Sequence, residues 1–386
     1  MLKRLPLLLG AALVAVFSFS GASAAPRDPF KQLDDVWPTP DAQRRASGAP
    51  GPGYWQQQAD YVIDVELDEA NNRILGSETI TYHNNSKDTL DYLWMQLDQN
   101  LFDPQMMAHQ SRTTSGLNDQ SFNQFEGLLN AQKFDGGYKI TAVKNAAGKP
   151  LKHVIVQTMM RIIPPQPLKP GGKITFSVDW SFNIIDATKI RARMGYEFFK
   201  EDKNHLYALA QWFPRMCAYT DVTGWQNKQY LGTGEFALEF GDYLVRITAP
   251  ADHIVASTGE LQNPEAVLTR TQRERLAKAR DAKKPVFIVT LDEAKANEKE
   301  KAKGKKTWIY KADNVRDFAW CSSRKFLWDA MGMDLNGKKI MCMSYWPKEG
   351  EPLWSRYSTH AVAHTVEVFS RHTFDYPYPV AISVNA

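Results

Sequence analysis

The stretch YVIDVELDEANNRILGSETITYHNNS, residues 61–86, decides the fold. Its first eight residues alternate, with Tyr61, Ile63, Val65 and Leu67 on one face and polar side chains mostly on the other. That two-residue period is the mark of a half-buried strand. Glu69-Ala70-Asn71-Asn72 turns the chain, the second half returns, and Asn84-Asn85-Ser86 ends it. The whole reads as a β-hairpin with polar turns at both ends.

Outward from the hairpin the same texture continues. TLDYLWMQLDQN (89–100) adds a strand, and KITFSVDWSF (173–182) alternates Ile174, Phe176, Val178 and Trp180. GEFALEFGDYLVRITAP (234–250) reads as two strands broken at Gly241-Asp242. KPVFIVTL (284–291) and KKTWIY (305–310) finish the pattern, while polar residues 104–133 read as an extended excursion. Helical periodicity is nearly absent from 54 to 268, which predicts a mainly β domain over 54–310, antiparallel sheets arranged as a sandwich or saddle. After Tyr310 the texture changes. ADNVRDFAWCSSRKF (312–326) reads as a short helix and then a strand, KKIMCMSYWP (338–347) as a strand, and EPLWSRYSTHAVAHTVEVFSRHTF (351–374) as a long helix. Strands alternating with helices predict the start of an α+β domain over 311–386, with no closing element before VAISVNA.

The chain has 386 residues, 43% hydrophobic and 23% charged, ample for a packed core, and its 11 Trp favour a β-rich protein or an aromatic-lined cleft. Residues 1–24 read as a secretory signal: Lys3 and Arg4, an apolar run over Leu5–Phe19, and the small-residue site Ala22-Ser23-Ala24. Export to the periplasm or the extracellular medium is therefore expected. No later segment is apolar enough to span a membrane, so no integral segment is expected once the signal is removed. Residues 25–53 are rich in Pro and Gly and read as a linker. Cys217, Cys321 and Cys342 sit in no metal-ligand spacing; they read as buried small residues, with room for one disulfide. Charge is local: residues 270–306 carry 13 Lys/Arg against 6 Asp/Glu, while the rest of the chain carries 34 against 37. That basic run lacks interleaved aromatics, so it reads as an inserted, solvated helix and a lysine-rich loop, with no nucleic-acid partner.

HAVAH, residues 360–364, sets two histidines four apart on the long helix. In H-E-x-x-H that spacing grips zinc and the Glu acts as base. Here Ala361 replaces the Glu, and Ser383 stands 19 residues beyond His364, where gluzincin-type peptidases place their third ligand. Trp354, Tyr357, Ala361, His364 and Val368 fall on one stripe, which predicts a buried face with His364 inside it. The pair thus reads as structural. No G-x-S-x-G, P-loop or G-x-G-x-x-G occurs, and LGTGEF (231–236) has no helix to follow it.

Four stretches in order resemble one family, the M1 zinc aminopeptidases. Residues 61–86 resemble its opening strands, QWFPRMCAYTDVTGW (211–225) its segment entering the middle of the β domain, NVRDFAW (314–320) its entry to the catalytic domain, and HTFDYPYP (372–379) the Tyr-Pro-Tyr-Pro stretch upstream of the peptidase signature. The resemblance covers about residues 55–386. It implies a β domain followed by a thermolysin-like domain, a zinc cofactor, and peptide substrates engaged through a free N-terminus. The family's G-x-M-E-N, H-E-x-x-H, downstream Glu and Tyr all come after Tyr-Pro-Tyr-Pro, so none can be carried over. The chain reads as an N-terminal piece, inactive by itself. Only Gln211 has a counterpart, by position, in a β-domain residue that helps to hold the substrate amine. The alternative expectation is an exported, non-catalytic β-rich binding or scaffold protein of the same architecture.

Overall fold

The computed structural model describes residues 40–107, 121–190, 192–232, 234, 237–299 and 301–386. The expected signal at 1–24, and the linker as far as residue 39, lie outside them. Residues 40–53 form a small turn of their own, where Asp41 Oδ1 accepts the amides of Gln43 and Arg44 at 2.7 and 2.9 Å.

The hairpin is present in full register. β1 (Gln58–Asp68) pairs antiparallel with β2 (Arg73–His83), from Gln58 opposite His83 to Asp68 opposite Arg73. Tyr61, Ile63, Val65 and Leu67 are all buried, as their alternation requires. β2 continues into β7 (Lys173–Asn183) and then β4 (Lys139–Asn145). On its other edge β1 pairs with β13 (Gly241–Pro250), followed by β17 (Lys305–Val315) and β15 (Glu260–Leu261), for seven strands in all. The β1–β13 pair is parallel, which alternation cannot reveal; the long excursion between them supplies the crossover that a parallel pair needs. Gly76 lies opposite Trp180, and a Cβ there would come 2.4 Å from the indole, so only glycine admits that ring. At Gly241 a Cβ would meet the Ala59 carbonyl oxygen at 1.7 Å. The chain bulges there, and residues 237–240 make only isolated bridges, so the two strands expected over 234–250 are one.

Three smaller sheets accompany the large one. β10 (Arg215–Met216), β3 (Leu93–Gln96), β6 (Met159–Ile163) and β5 (Lys152–Val156) form one; β14 (Ile254–Ser257), β18 (Trp320–Ser323), β9 (Asn204–Leu209) and β8 (Gly195–Phe199) form another. β11 (Tyr219–Thr220) and β12 (Gly224–Trp225) make a short ribbon. Aromatic rings weld the layers together: Tyr61 meets Phe213 at 5.5 Å, and Trp212 touches Trp180 at 6.4 Å and Trp320 at 6.0 Å. The mainly β class expected from the sequence is what the strands form.

A fifth sheet closes the chain: β16 (Val286–Val289), β19 (Phe326–Leu335), β20 (Lys338–Pro347) and β21 (Val380–Val384). Of the helices, α1 (Phe122–Lys133) lies in the stretch expected to be extended, and α2 (Arg270–Ala279) and α3 (Leu291–Asn297) lie in the basic segment. Both of these start at capping boxes, Thr269 with Gln272 and Thr290 with Glu293. Between them β16 pairs with β19, so the residues read as an insertion supply the edge of the closing sheet. α4 (Leu353–His372) packs on the same sheet. β17 runs across the boundary expected at 310/311, and the short helix expected over 312–326 is absent: β17 extends to Val315 and β18 pairs with β9 and β14. Apolar residues at mixed spacing gave that segment a helical look that cross-strand pairing overrides.

The turn from β18 into β19 joins the two parts. Its Arg324 and Lys325 have no exposed side-chain surface. Arg324 donates to both Glu69 oxygens at 2.6 and 2.8 Å, to Asp252 at 3.0 Å and to Asn204 at 3.3 Å. Lys325 binds Asp202, Glu298 and Glu349, and its ammonium lies 4.3 Å from the centre of the Phe199 ring. Burial alone would raise the Glu69 pKa, but the Arg324 bonds hold it far below the carboxylate range. Replacing Arg324 with Met strands two carboxylates in a site with little water, so Arg324→Met is expected to lower unfolding stability by about 3–5 kcal/mol in urea titrations at pH 7. A loss below about 1 kcal/mol would contradict this account of the turn.

Candidate ligand cleft

A cavity of about 800 Å³ opens between the large sheet and the closing sheet. One wall is the end of β17 with residues 313–317; the other is Tyr376-Pro377-Tyr378-Pro379 and β21. β15, an edge strand of the large sheet, borders it through Glu260.

The sequence builds this cleft by bringing distant segments together. Tyr378 donates its hydroxyl to the Asn314 carbonyl at 3.1 Å, and the Asn314 amide is held by Asp242 Oδ1 at 2.8 Å. Asn314 has φ of 51°, a left-handed turn that Asn accepts better than most residues. Asp317 accepts from Arg215 at 2.7 Å, and Arg215 also binds buried Asp98 at 2.8 Å. Trp212 donates its indole N–H to the Phe318 carbonyl at 2.8 Å, and the Met216 amide donates to the Tyr61 hydroxyl at 2.9 Å. Burial works against the Arg215 charge, but Asp98 and Asp317 outweigh it and keep the guanidinium protonated. The cleft thus has charges of both signs at Glu260, Lys311, Asp313 and Arg316, and an aromatic wall in which Tyr376 and Tyr378 meet edge to face at 5.6 Å. Edge strands on both sides offer backbone groups to an extended chain. Cys321 also lines it, but burial pushes its thiol up to about 12, so it is no nucleophile at neutral pH. All three cysteines are free thiols.

Gln211 is not among the residues lining this cavity. It follows β9 with φ of 53°, and its carbonyl is fixed by Gln99 Nε2 at 2.8 Å and the Tyr138 hydroxyl at 3.2 Å. Its half-buried side chain makes no hydrogen bond among the described residues.

The histidines of HAVAH lie elsewhere again. Both His360 and His364 are exposed, and so are Tyr357 and Ala361; the helix buries Thr359, Ala363 and Val366 instead. Of the stripe expected to face inward, Trp354 packs against the core and Val368 is half-buried, while Tyr357, Ala361 and His364 face outward. The reason is chemical: α4 docks through small and hydroxyl-bearing residues. Thr359 donates to Asp329 and contacts Ser344 at 2.6 Å, while Ser358 and Ser383 are 2.8 Å apart. A search for apolar periodicity is blind to such a face.

Two further clusters escaped the sequence. Ser322, His253 and Glu69 stand in a row, with Ser322 Oγ 2.7 Å from His253 Nδ1 and His253 Nε2 3.8 Å from Glu69. Ser322 and His253 are buried, Glu69 is half-buried, and its carboxylate is held by Arg324, so the row serves structure. Asp202, Glu298 and Glu349 are the one set of three metal-ligating side chains whose ligand atoms already stand together among the described residues. Lys325 and Lys348 already lie against them, and no histidine is present, so the set does not suit a catalytic zinc ion.

No protein-family model matches the chain, and no curated protein matches it. Among solved structures it is similar to an M1 zinc metallopeptidase mutant from Deinococcus radiodurans bound to a Tyr-Ser-Ala substrate, at 12% identity and a TM-score of 0.48, covering 85% of this chain and 56% of that one. The M1 zinc metallopeptidase from the same organism aligns at 12% identity and 0.47, covering 87% and 57%. The chain therefore spans little more than half the length of these structures.

Glu78 on β2 makes a further prediction. It is buried with both oxygens unpartnered, and burial raises its pKa well above the usual carboxylate value. The folded state therefore binds this proton more tightly than the unfolded chain, so stability falls as pH rises above the unfolded carboxyl pKa of about 4.3. Glu78→Gln should be about as stable as wild type near pH 4 and more stable by about 1–3 kcal/mol at pH 8, read from urea titrations. A difference that stays constant with pH would contradict the assignment.

Proposed function

We propose that this chain is the N-terminal β region and the opening of the catalytic domain of an exported, M1-type zinc aminopeptidase, an enzyme that removes residues from the free N-termini of peptides. The observation that carries the reading is convergence. The four stretches that resemble the family lie far apart in sequence, yet Tyr61 bonds Met216, Arg215 and Trp212 bond Asp317 and Phe318, and Tyr378 bonds Asn314. Chance similarity in four separate stretches gives no reason for them to bond to one another in the fold, two of them lining the cleft.

In this reading the cleft borders the substrate channel, and Gln211, held by its own carbonyl, offers a side-chain amide oxygen to the substrate ammonium. Zinc in such an enzyme supplies an activated water and a polarised carbonyl. No residue of this chain is assigned to that step, since the sequence contains no H-E-x-x-H. The second reading is an exported, non-catalytic β-rich binding or scaffold protein of the same architecture, which the lack of H-E-x-x-H fits equally.

The test is genetic and then kinetic. The reading expects the coding sequence beyond codon 386 to specify a G-x-M-E-type strand, H-E-x-x-H and a Glu 19 residues past its second His. It also expects the 386-residue protein alone to hydrolyse no aminoacyl substrate. In the extended enzyme Gln211→Ala should raise KM about tenfold, the worth of one hydrogen bond to a charged group. A gene that ends without the motif would overturn the proposal in favour of the scaffold. Aminopeptidase activity in the 386-residue protein would overturn the assignment of catalysis to residues outside it.

A further inference from the structure

We propose that the outward face of α4 is a binding site for a divalent transition-metal ion, chelated by His360 and His364, with Glu367 recruited from its Arg371 pair as a third ligand. This site is separate from any catalytic zinc and does not rest on the aminopeptidase reading.

Three observations carry it. First, the two histidines are four apart in the middle of a 20-residue helix, and both are exposed. Side chains at that spacing stand about 5–6 Å apart at Cβ. Two imidazoles so placed turn toward one ion at metal–nitrogen distances of about 2.0–2.1 Å, as they do on the helix of H-E-x-x-H. Second, the rotation of the helix is fixed from its other side, where Thr359, Ala363 and Val366 are buried and Ser358 and Thr359 bond Ser383 and Ser344. The pair is thus presented to solvent by a docked helix. Third, neither ring has a hydrogen bond, ion pair or ring contact among the described residues, so no interaction must be broken to admit an ion. Glu367 lies one turn beyond His364 on the same exposed face. Its partner is Arg371 at 2.6 Å, an exposed pair of the weak kind that a metal displaces.

Chemistry narrows the ligand. Two imidazoles and a carboxylate suit Zn²⁺, Ni²⁺ and Cu²⁺, with Cu²⁺ tightest, and disfavour Mg²⁺ and Ca²⁺, which seek oxygen. Ala361 offers no base beside the site, so the role is to bind the ion and leave coordination positions open to a second molecule.

The test is calorimetric titration of Zn²⁺ and Cu²⁺ into the 386-residue protein, beside His360→Ala, His364→Ala and the control His153→Ala. All three positions lie outside the packed core, and circular dichroism checks the fold of each variant. The expected result is one site, tighter for Cu²⁺ than for Zn²⁺, weakened by about 10–100-fold or more in each α4 variant, since loss of an outer-shell partner alone costs that much. The control should match wild type. Heat of binding that is absent from wild type, or an affinity that survives both α4 substitutions, would overturn the proposal. The readout is metal affinity, so it is independent of whether the chain belongs to a peptidase.

Discussion

Two neighbouring cations without exposed side-chain surface, Arg324 and Lys325, fix the architecture. A charge taken from water into a protein interior is tolerated only with partners in good geometry. Those partners come from five other places: Glu69 between β1 and β2, Asp252 between β13 and β14, Asp202 between β8 and β9, Glu298 after α3, and Glu349 after β20. Each of these turns must therefore meet the turn that carries the chain from the β layers into the closing sheet. Such pairs add less to stability than their number suggests, because desolvation offsets the attraction. Their effect is to specify one arrangement, since any other strands a buried charge.

The cleft follows from that arrangement. Once the closing sheet is held, β21 and the Tyr376–Pro379 stretch face the end of β17, and Tyr378 reaches Asn314. Arg215 acts as a second fixed point, tying the β10 segment to Asp317 and Asp98. The walls are thus set by ion pairs and indole–carbonyl bonds, while the rim keeps charged side chains and strand edges. A site of this kind is suited to recognising an extended chain by its backbone. Its thiol is held protonated by burial, and Ser322 and His253 are buried.

Much of the fold was legible because it rests on alternation. Residues 61–67 and 174–182 have their apolar faces inward, and Lys338–Pro347 and Leu353–His372 form the strand and helix their composition suggests. Three kinds of information were not local. Strand direction was hidden, as in the parallel β1–β13 pair. So was the destination of the basic segment: β16 is a four-residue strand whose partner, β19, lies some 40 positions on, and nothing in its own residues names that partner. The inward face of α4 carries no apolar signal of its own, because Thr359, Ser358 and Ala363 dock it while the more apolar Leu353, Tyr357 and Phe369 stay outside. The site was legible only as four weak resemblances. Their assembly depends on single bonds such as Arg215–Asp317, which no pattern in sequence announces.

The central claim is that one buried charge cluster makes the β layers and the closing sheet a single cooperative body, and that the cleft exists because of it. Native-state hydrogen exchange on the 386-residue protein tests this most directly. The account predicts that amides of β19 and β20 open with the same free energy as those of β17 and β18, in one global event. Exchange of β19 and β20 through a separate, lower-energy opening, while the seven-stranded sheet stays protected, would contradict it.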